Sequence, residues 1–215
     1  MSTSGANINL TTDIAGNYTF TFNSSNRNLT VTYPTIYKVT YSHVPTAAAD
    51  APTTSPSVTS GNSVVAGTSV TFTAKDANPG YAWKGWYSNN AGSGTELSAN
   101  QTYKTSITAN TTIYAVYMSA VTLDNQGTTG GKFWATPTQE FFVQGEEITL
   151  TATAEECYEF VSWTIKKTSN GSDVTSSVLS GNTLTMPDYA VTVYATFKSL
   201  SVTEIALSKQ QCKLK

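Results

Sequence analysis

NPGYAWKGWYS (Asn78–Ser88) and EECYEFVSWTI (Glu155–Ile165) are two versions of one phrase, aromatic–x–aromatic–x–x–Trp. Each follows a run that ends in Thr-Ala, VTFTA (Val70–Ala74) before the first and ITLTA (Ile148–Ala152) before the second. In both runs apolar residues alternate with Thr, the pattern of a strand with one face on a core and the other in water. Residues i and i+2 of a strand share a face, so each aromatic phrase can drive two rings the same way. Buried rings contribute large apolar area to a small domain, so Tyr81, Trp83, Trp86, Tyr158, Phe160 and Trp163 are expected in the core. The rival reading is a flat aromatic platform for sugars. Recurrence at equal register, with Trp83 exchanged for Phe160, favours packing.

The same alternation recurs in YTFTF (Tyr18–Phe22), LTVTY (Leu29–Tyr33), YKVTY (Tyr37–Tyr41) and VTVYATF (Val191–Phe197). Turn-forming clusters stand between the runs, among them NPG at 78–80, NNAGSG at 89–94, GTTGG at 127–131 and SNGSD at 169–173. No stretch carries helical periodicity. The expected fold is all-β, built of tandem small antiparallel β-domains, β-sandwich or β-grasp-like, with no substantial helix.

Three landmarks hold one register along the chain. Val70 aligns with Ile148 (148 − 70 = 78), Trp86 with Trp163 (163 − 86 = 77) and Ala115 with Ala195 (195 − 115 = 80). Gly67-Thr68 and Gly145-Glu146 stand before the first motif strand of each unit. Two copies of a β-unit follow, expected over 36–118 and 119–199. Residues 1–35 are expected to hold the closing hairpin of a preceding module, over Gly16–Pro34. Residues 200–215 are expected to open a further domain, and Pro45–Pro56 to be a loop or linker within the first unit.

The two copies resemble the internalin B repeat-like domains of bacterial surface proteins, a family with a Gly-Tyr-x-Phe-x-Gly-Trp phrase and a late strand ending x-Ala-x-Phe. The phrase stands here as Gly80-Tyr81-Ala82-Trp83-Lys84-Gly85-Trp86 and as Cys157-Tyr158-Glu159-Phe160-Val161-Ser162-Trp163. The late strand stands as LTMPDYAVTVYATF (Leu184–Phe197). Copy one departs at Trp83; copy two departs at Cys157 and Ser162, where the family has glycine. The tail VTEIALSKQQCKLK is similar to the first strand of a group 2 bacterial immunoglobulin-like domain. AGNYTFTFNSSNRNLTVTYP is similar to the closing strands of β-sandwich modules on secreted starch-active proteins. Together these resemblances imply a piece of a longer, modular, secreted bacterial protein.

Composition narrows the function classes. Charged residues are 12% and the formal net charge is −2, with no basic run, which removes the electrostatic footprint of a nucleic-acid binder. No apolar stretch approaches the roughly 20 residues that would cross a bilayer as a helix. The Ser/Asn-rich start MSTSGANINL has no positive region followed by an apolar core, so no signal peptide is expected in it. Cys157 and Cys212, the two cysteines, match no metal spacing. Two unpaired thiols are the preferred expectation and a single bridge the alternative. Abundant Thr, Ser, Asn, Tyr and Gly with sparse Lys and Glu is the profile of an extracellular β-protein.

Catalytic chemistry finds little to stand on. His43, the single histidine, sits in YSHVP without a nucleophile elbow, so a strand-end histidine is the better reading. Glu146-Glu147 and Glu155-Glu156 are adjacent, and neighbours on a strand point to opposite faces. Asp76 and Asp188 lie in no loop with repeated acidic ligands, so no metal and no cofactor is expected. Phe133 and Trp134, in GGKFWATP, and Tyr87, which follows the core phrase in opposite alternation, are the candidates for an exposed contact surface.

The function expected is a non-enzymatic extracellular spacer or adhesion segment, secreted or at the cell surface. Its expected partners are other domains of the same longer chain, with a host-surface protein or polysaccharide as a further possibility and no nucleic acid. The alternative is a carbohydrate-binding accessory of a secreted glycan-degrading enzyme.

Overall fold

The structure, a computed structural model, describes residues 34–201 together with two short strands, β1 (Ser2–Thr3) and β2 (Ala6–Asn7). The chain divides into two compact units, Met1–Thr35 and Ile36–Lys215. In the first unit β1 pairs antiparallel with β2, Ser2 opposite Asn7. The expected hairpin at Gly16–Pro34 and the expected opening strand after Ser201 otherwise lie outside the described residues.

Repeat 1 comprises β3 (Ile36–Val44), β4 (Thr53–Ser55), β5 (Ser63–Val65), β6 (Ser69–Thr73), β7 (Tyr81–Tyr87), β8 (Glu96–Ser98), β9 (Thr102–Ser106) and the start of β10 (Thr111–Leu123). Repeat 2 takes over on β10 and continues through β11 (Gly131–Thr136), β12 (Phe141–Phe142), β13 (Glu147–Ala154) and β14 (Tyr158–Lys167). It ends with one helical turn α1 (Thr175–Val178), β15 (Leu179–Ser180), β16 (Thr183–Thr185) and β17 (Val191–Ser199). Alternating Thr and apolar residues become strands, and the Asn/Gly-rich clusters become the turns between them.

Each repeat is a two-layer β-sandwich. In repeat 1 one layer runs β5–β3–β10–β7–β8 and the other β4–β6–β9. Val39, Trp86 and Ala115 from the first layer meet Val70, Phe72 and Ala74 from the side of the second. In repeat 2 the layers are β10–β17–β14 and β11–β13–β16–β15. There Val121, Trp163, Val193 and Ala195 meet Phe133, Ile148, Leu150 and Leu184. The two buried clusters share no residue, so the pair has two cores.

Two pairings depart from the all-antiparallel expectation. β3 lies parallel to β10, from Val39 opposite Thr111 to Val44 opposite Val116, and β10 lies parallel to β17, from Val121 opposite Val191 to Leu123 opposite Val193. In each repeat the first and last strands are therefore neighbours running the same way. A parallel pair needs a long crossover, and the rest of the repeat is that crossover. The chain thus leaves a repeat in the direction in which it entered.

The expected 118/119 boundary falls inside β10. The first part of that strand closes repeat 1 and its last residues open repeat 2, without a linker. Around the handover a third cluster forms from Tyr87, Val116 and Val143, with Val44, Tyr114 and Met118 packed against it. Pro45–Pro56, expected as a loop or linker, instead contains strand β4 and buried Ala48 and Ala49. Asn78 pins it, donating its backbone N–H to the Ala48 carbonyl (2.7 Å) and its side-chain amide to the Ala47 carbonyl (3.0 Å).

Candidate functional site

The aromatic phrases occupy matching places. In β7, Gly85 lies opposite Val116 and Trp83 opposite Tyr117, which leaves Lys84 bulged out; in β14, Ser162 lies opposite Thr196 and Phe160 opposite Phe197, which leaves Val161 bulged out. A bulge adds one residue to the alternation. It brings Trp83 and Trp86, which plain alternation would send to opposite faces, onto the same side with centroids 5.8 Å apart. Phe160 and Trp163 meet in the same way at 4.9 Å. The turn before each phrase needs a left-handed residue, supplied by Gly80 at φ 85° and by Cys157 at φ 68°. Cys157 thus does at some conformational cost what glycine does freely.

Of the six rings expected in the core, Trp86 (0% exposed) and Trp163 (7%) are buried there; Tyr81, Trp83 and Phe160 are half-buried against the two cores, and Tyr158 is half-buried and belongs to neither cluster. Each indole N–H has its acceptor: Trp86 Nε1 donates to the Gln101 carbonyl (3.0 Å), Trp163 Nε1 to Asn182 Oδ1 (2.9 Å) and Trp83 Nε1 to the Ala99 carbonyl (2.7 Å). Satisfying the polar tip lets the ring be buried without an orphaned donor. Tyr117 also reaches inward, donating its hydroxyl to the Lys75 carbonyl at 2.5 Å. Burial pushes its pKa up to about 12, with the Asp76 charge adding to the rise against the hydrogen bond to Lys75.

Of the three residues expected on an exposed contact surface, one is exposed. Trp134 is 44% exposed. Tyr87 is buried, which corrects the expectation: its face of the sheet is covered by Val143 of repeat 2, and its hydroxyl donates to Glu96 Oε2 at 3.0 Å. Phe133 is buried as well, edge-on to Trp163 at 5.7 Å. It precedes Trp134 on β11, and adjacent strand residues take opposite faces, so only one of the two can look outward.

Trp134 stands on the outer face of the second layer of repeat 2. It lies directly opposite Thr151, with Lys132 and Thr136 two residues away along its own strand and Thr149 and Thr153 diagonal to it on β13. The face is an apolar ring set among hydroxyls with one cation. In repeat 1 the equivalent position is Thr53, opposite Thr73, so the ring is particular to repeat 2.

The remaining polar candidates are engaged in local structure. His43, near the end of β3, lies 3.2 Å from the Thr46 carbonyl through Nε2. Asp76 Oδ1 accepts from Gln101 Nε2 at 3.2 Å, and Glu146 Oε2 accepts the Val143 backbone N–H at 2.8 Å. Asp188 lies near Tyr81, whose pKa is raised first by burial and then by that charge. Among the described residues no group of three or more His, Cys, Asp or Glu is placed to hold a metal ion. Cys157 is disulfide-bonded, which corrects the preference for unpaired thiols; Cys212 lies outside the described residues.

Sequence reasoning missed the junction. Tyr87, Val116 and Val143 join the repeats, and Ile36, Val65 and Val161 are exposed large apolar residues. One signal was available: TTIYAVYMSAVTL (Thr111–Leu123) holds no Gly, Pro, Asn or Asp, so nothing in it ends a strand.

A family model described as the divergent InlB B-repeat domain matches residues 46–120 and again 121–201. The chain belongs to this family. The two matches abut at 120 and 121, within β10, so consecutive InlB B-repeats here meet inside one strand. No curated protein and no solved structure matches the chain.

Proposed function

We propose that this pair of InlB B-repeats is a non-enzymatic extracellular segment of a bacterial surface or secreted protein, spacing or displaying the parts on either side of it and serving adhesion. The observation that carries the reading is β10: one strand belongs to both sandwiches and the chain crosses the pair without reversing. Modules joined by a shared strand and an apolar contact transmit orientation, which a spacer requires and a flexible tether does not supply. Family membership supports the surface or secreted setting, since such repeats are typical there. Nitrogen-15 relaxation of the full chain tests it. A common rotational correlation time for β6 and β13 supports the spacer; independent times refute it.

A second reading rests on Trp134. An exposed indole flanked by threonine hydroxyls on a sheet face is suited to stack on a sugar ring while hydroxyls bond its rim. Affinity electrophoresis in gels of soluble starch and related polysaccharides separates the readings. Retardation of the full chain that disappears in Trp134→Ala supports a carbohydrate-binding accessory; migration unchanged by every glycan leaves the spacer.

A further inference from the structure

The strands that meet at the junction have counterparts in both repeats, although β8 pairs with β7 while β15 pairs with β16, so each side chain at the junction has a twin at the free end of the other repeat. Val143 follows Phe142, which lies opposite Ser119; Val65 follows Val64, which lies opposite Tyr37. Both residues open the same turn, the Val143 carbonyl accepting from the Glu146 N–H (3.1 Å) and the Val65 carbonyl from the Thr68 N–H (3.0 Å). Val65 is therefore the repeat 1 counterpart of Val143, and by the same register Ile36 is the counterpart of Met118.

Their surroundings differ. Val143 is 5% exposed beneath Tyr87 and Val116, and Met118 packs against that cluster. Val65 is 48% and Ile36 59% exposed, and the two lie directly opposite each other on the β3–β5 pair. Single exposed apolar residues are ordinary on a protein surface. Here the twin of one member of a contiguous pair, Val143, is buried and the twin of the other, Met118, is partly buried, both against Tyr87 and Val116.

The other end is built differently. The counterparts of Tyr87, Val116, Met118 and Ala82 in repeat 2 are Thr164, Thr196, Lys198 and Glu159, paired in the same register. Lys198 Nζ stands 2.7 Å from Glu159 Oε1 in a half-exposed ion pair. The downstream end of repeat 2 is thus polar where that of repeat 1 is apolar. It does not complement Ile36–Val65, so the natural chain is not suited to head-to-tail chaining.

We infer that the Ile36–Val65 face is a docking site for the downstream end of another InlB B-repeat, one that carries an aromatic and a β-branched side chain at the positions of Tyr87 and Val116. Repeat 2 docks on repeat 1 through Val143 and Met118, and the upstream face of repeat 1 offers an equivalent aliphatic pair, Val65 and Ile36, both exposed.

The test duplicates residues 36–117 within the full chain, so that Tyr117 is followed by a second Ile36 as it is naturally followed by Met118. The expected result is one cooperative urea transition with a denaturant slope about half as large again, since three repeats unfold together. Ile36→Ser with Val65→Ser in the inner copy should split it into two. A duplicated chain that unfolds in two transitions, or one indifferent to those serines, overturns the inference. If the duplicated chain does not fold, a second variant decides. Thr164→Tyr, Thr196→Val, Lys198→Met and Glu159→Ala together give the natural chain the apolar downstream end. Sedimentation velocity should then show concentration-dependent association, abolished by adding Ile36→Ser and Val65→Ser. Absence of association, or association that survives the serines, overturns the inference.

Discussion

Ala115 and Val121 stand on one unbroken strand and serve different cores: Ala115 lies opposite Trp86 in repeat 1, and Val121 opposite Val191 in repeat 2. A strand fixed by one core therefore presents a preset edge to the other.

Removing either core tryptophan should cost about 3–5 kcal/mol, the usual range for truncating a buried large aromatic. Urea denaturation of Trp86→Ala and Trp163→Ala measures it. Trp134→Ala, on an open face, should stay within about 0.5 kcal/mol of the parent. A large loss there would mean that the ring supports the fold.

Gly131 is a packing position. A Cβ on it would stand 2.2 Å from the Phe197 ring, with no unusual φ to complicate the effect. Gly131→Ala should destabilise by about 1–3 kcal/mol through overpacking. In a Phe197→Ala background, which clears the space, the added penalty should largely vanish, and a double-mutant cycle reads that coupling.

The junction gives a paired prediction. Val143→Ser places a hydroxyl in the Tyr87–Val116 contact and removes apolar burial, so it should lower stability by about 1–3 kcal/mol. Val65→Ser, at the twin position exposed to water, should change it by less than about 0.5 kcal/mol. Thermal unfolding of the two variants side by side checks the contrast.

Tyr117 sets an alkaline limit. Its folded pKa of about 12 lies above the ordinary 10.0 because burial disfavours the phenolate. The native state thus holds the proton more tightly than the unfolded chain. That contribution is fully present below pH 10 and is lost as pH rises from about 10 to about 12. Stability of the parent should fall across that window, and Tyr117→Phe should flatten the slope relative to it.

Much of this was legible in the residues. Thr alternation located the strands, and the recurring Trp phrase placed Trp86 and Trp163 in equivalent cores, because both periodicities are local. Phe133 could have been resolved by the same rule, since its neighbour Trp134 must take the opposite face. Tyr87 could not. Alternation correctly put it on the other side of the sheet from Trp86, but only tertiary structure reveals that Val143 covers that side. The shared strand was hidden for a related reason: copies found by similarity suggest a boundary, whereas Thr111–Leu123 continues through it. The left-handed backbone at Cys157 was signalled by alignment with Gly80, although the residue type gave no hint.

The pair acts as one body only if β10 couples the two sandwiches, and native-state hydrogen exchange of Val70→Ala reads that coupling directly. The substitution loosens only the core of repeat 1, where Val70 is fully buried, by about 2 kcal/mol. The Asp124 amide, bonded to the Val193 carbonyl at 3.0 Å, reports the far side of the strand in repeat 2. Its protection should fall together with that of the repeat 1 amides. If Asp124 exchanges as slowly as in the parent while repeat 1 opens, the repeats are independent and the coupled-spacer account is contradicted.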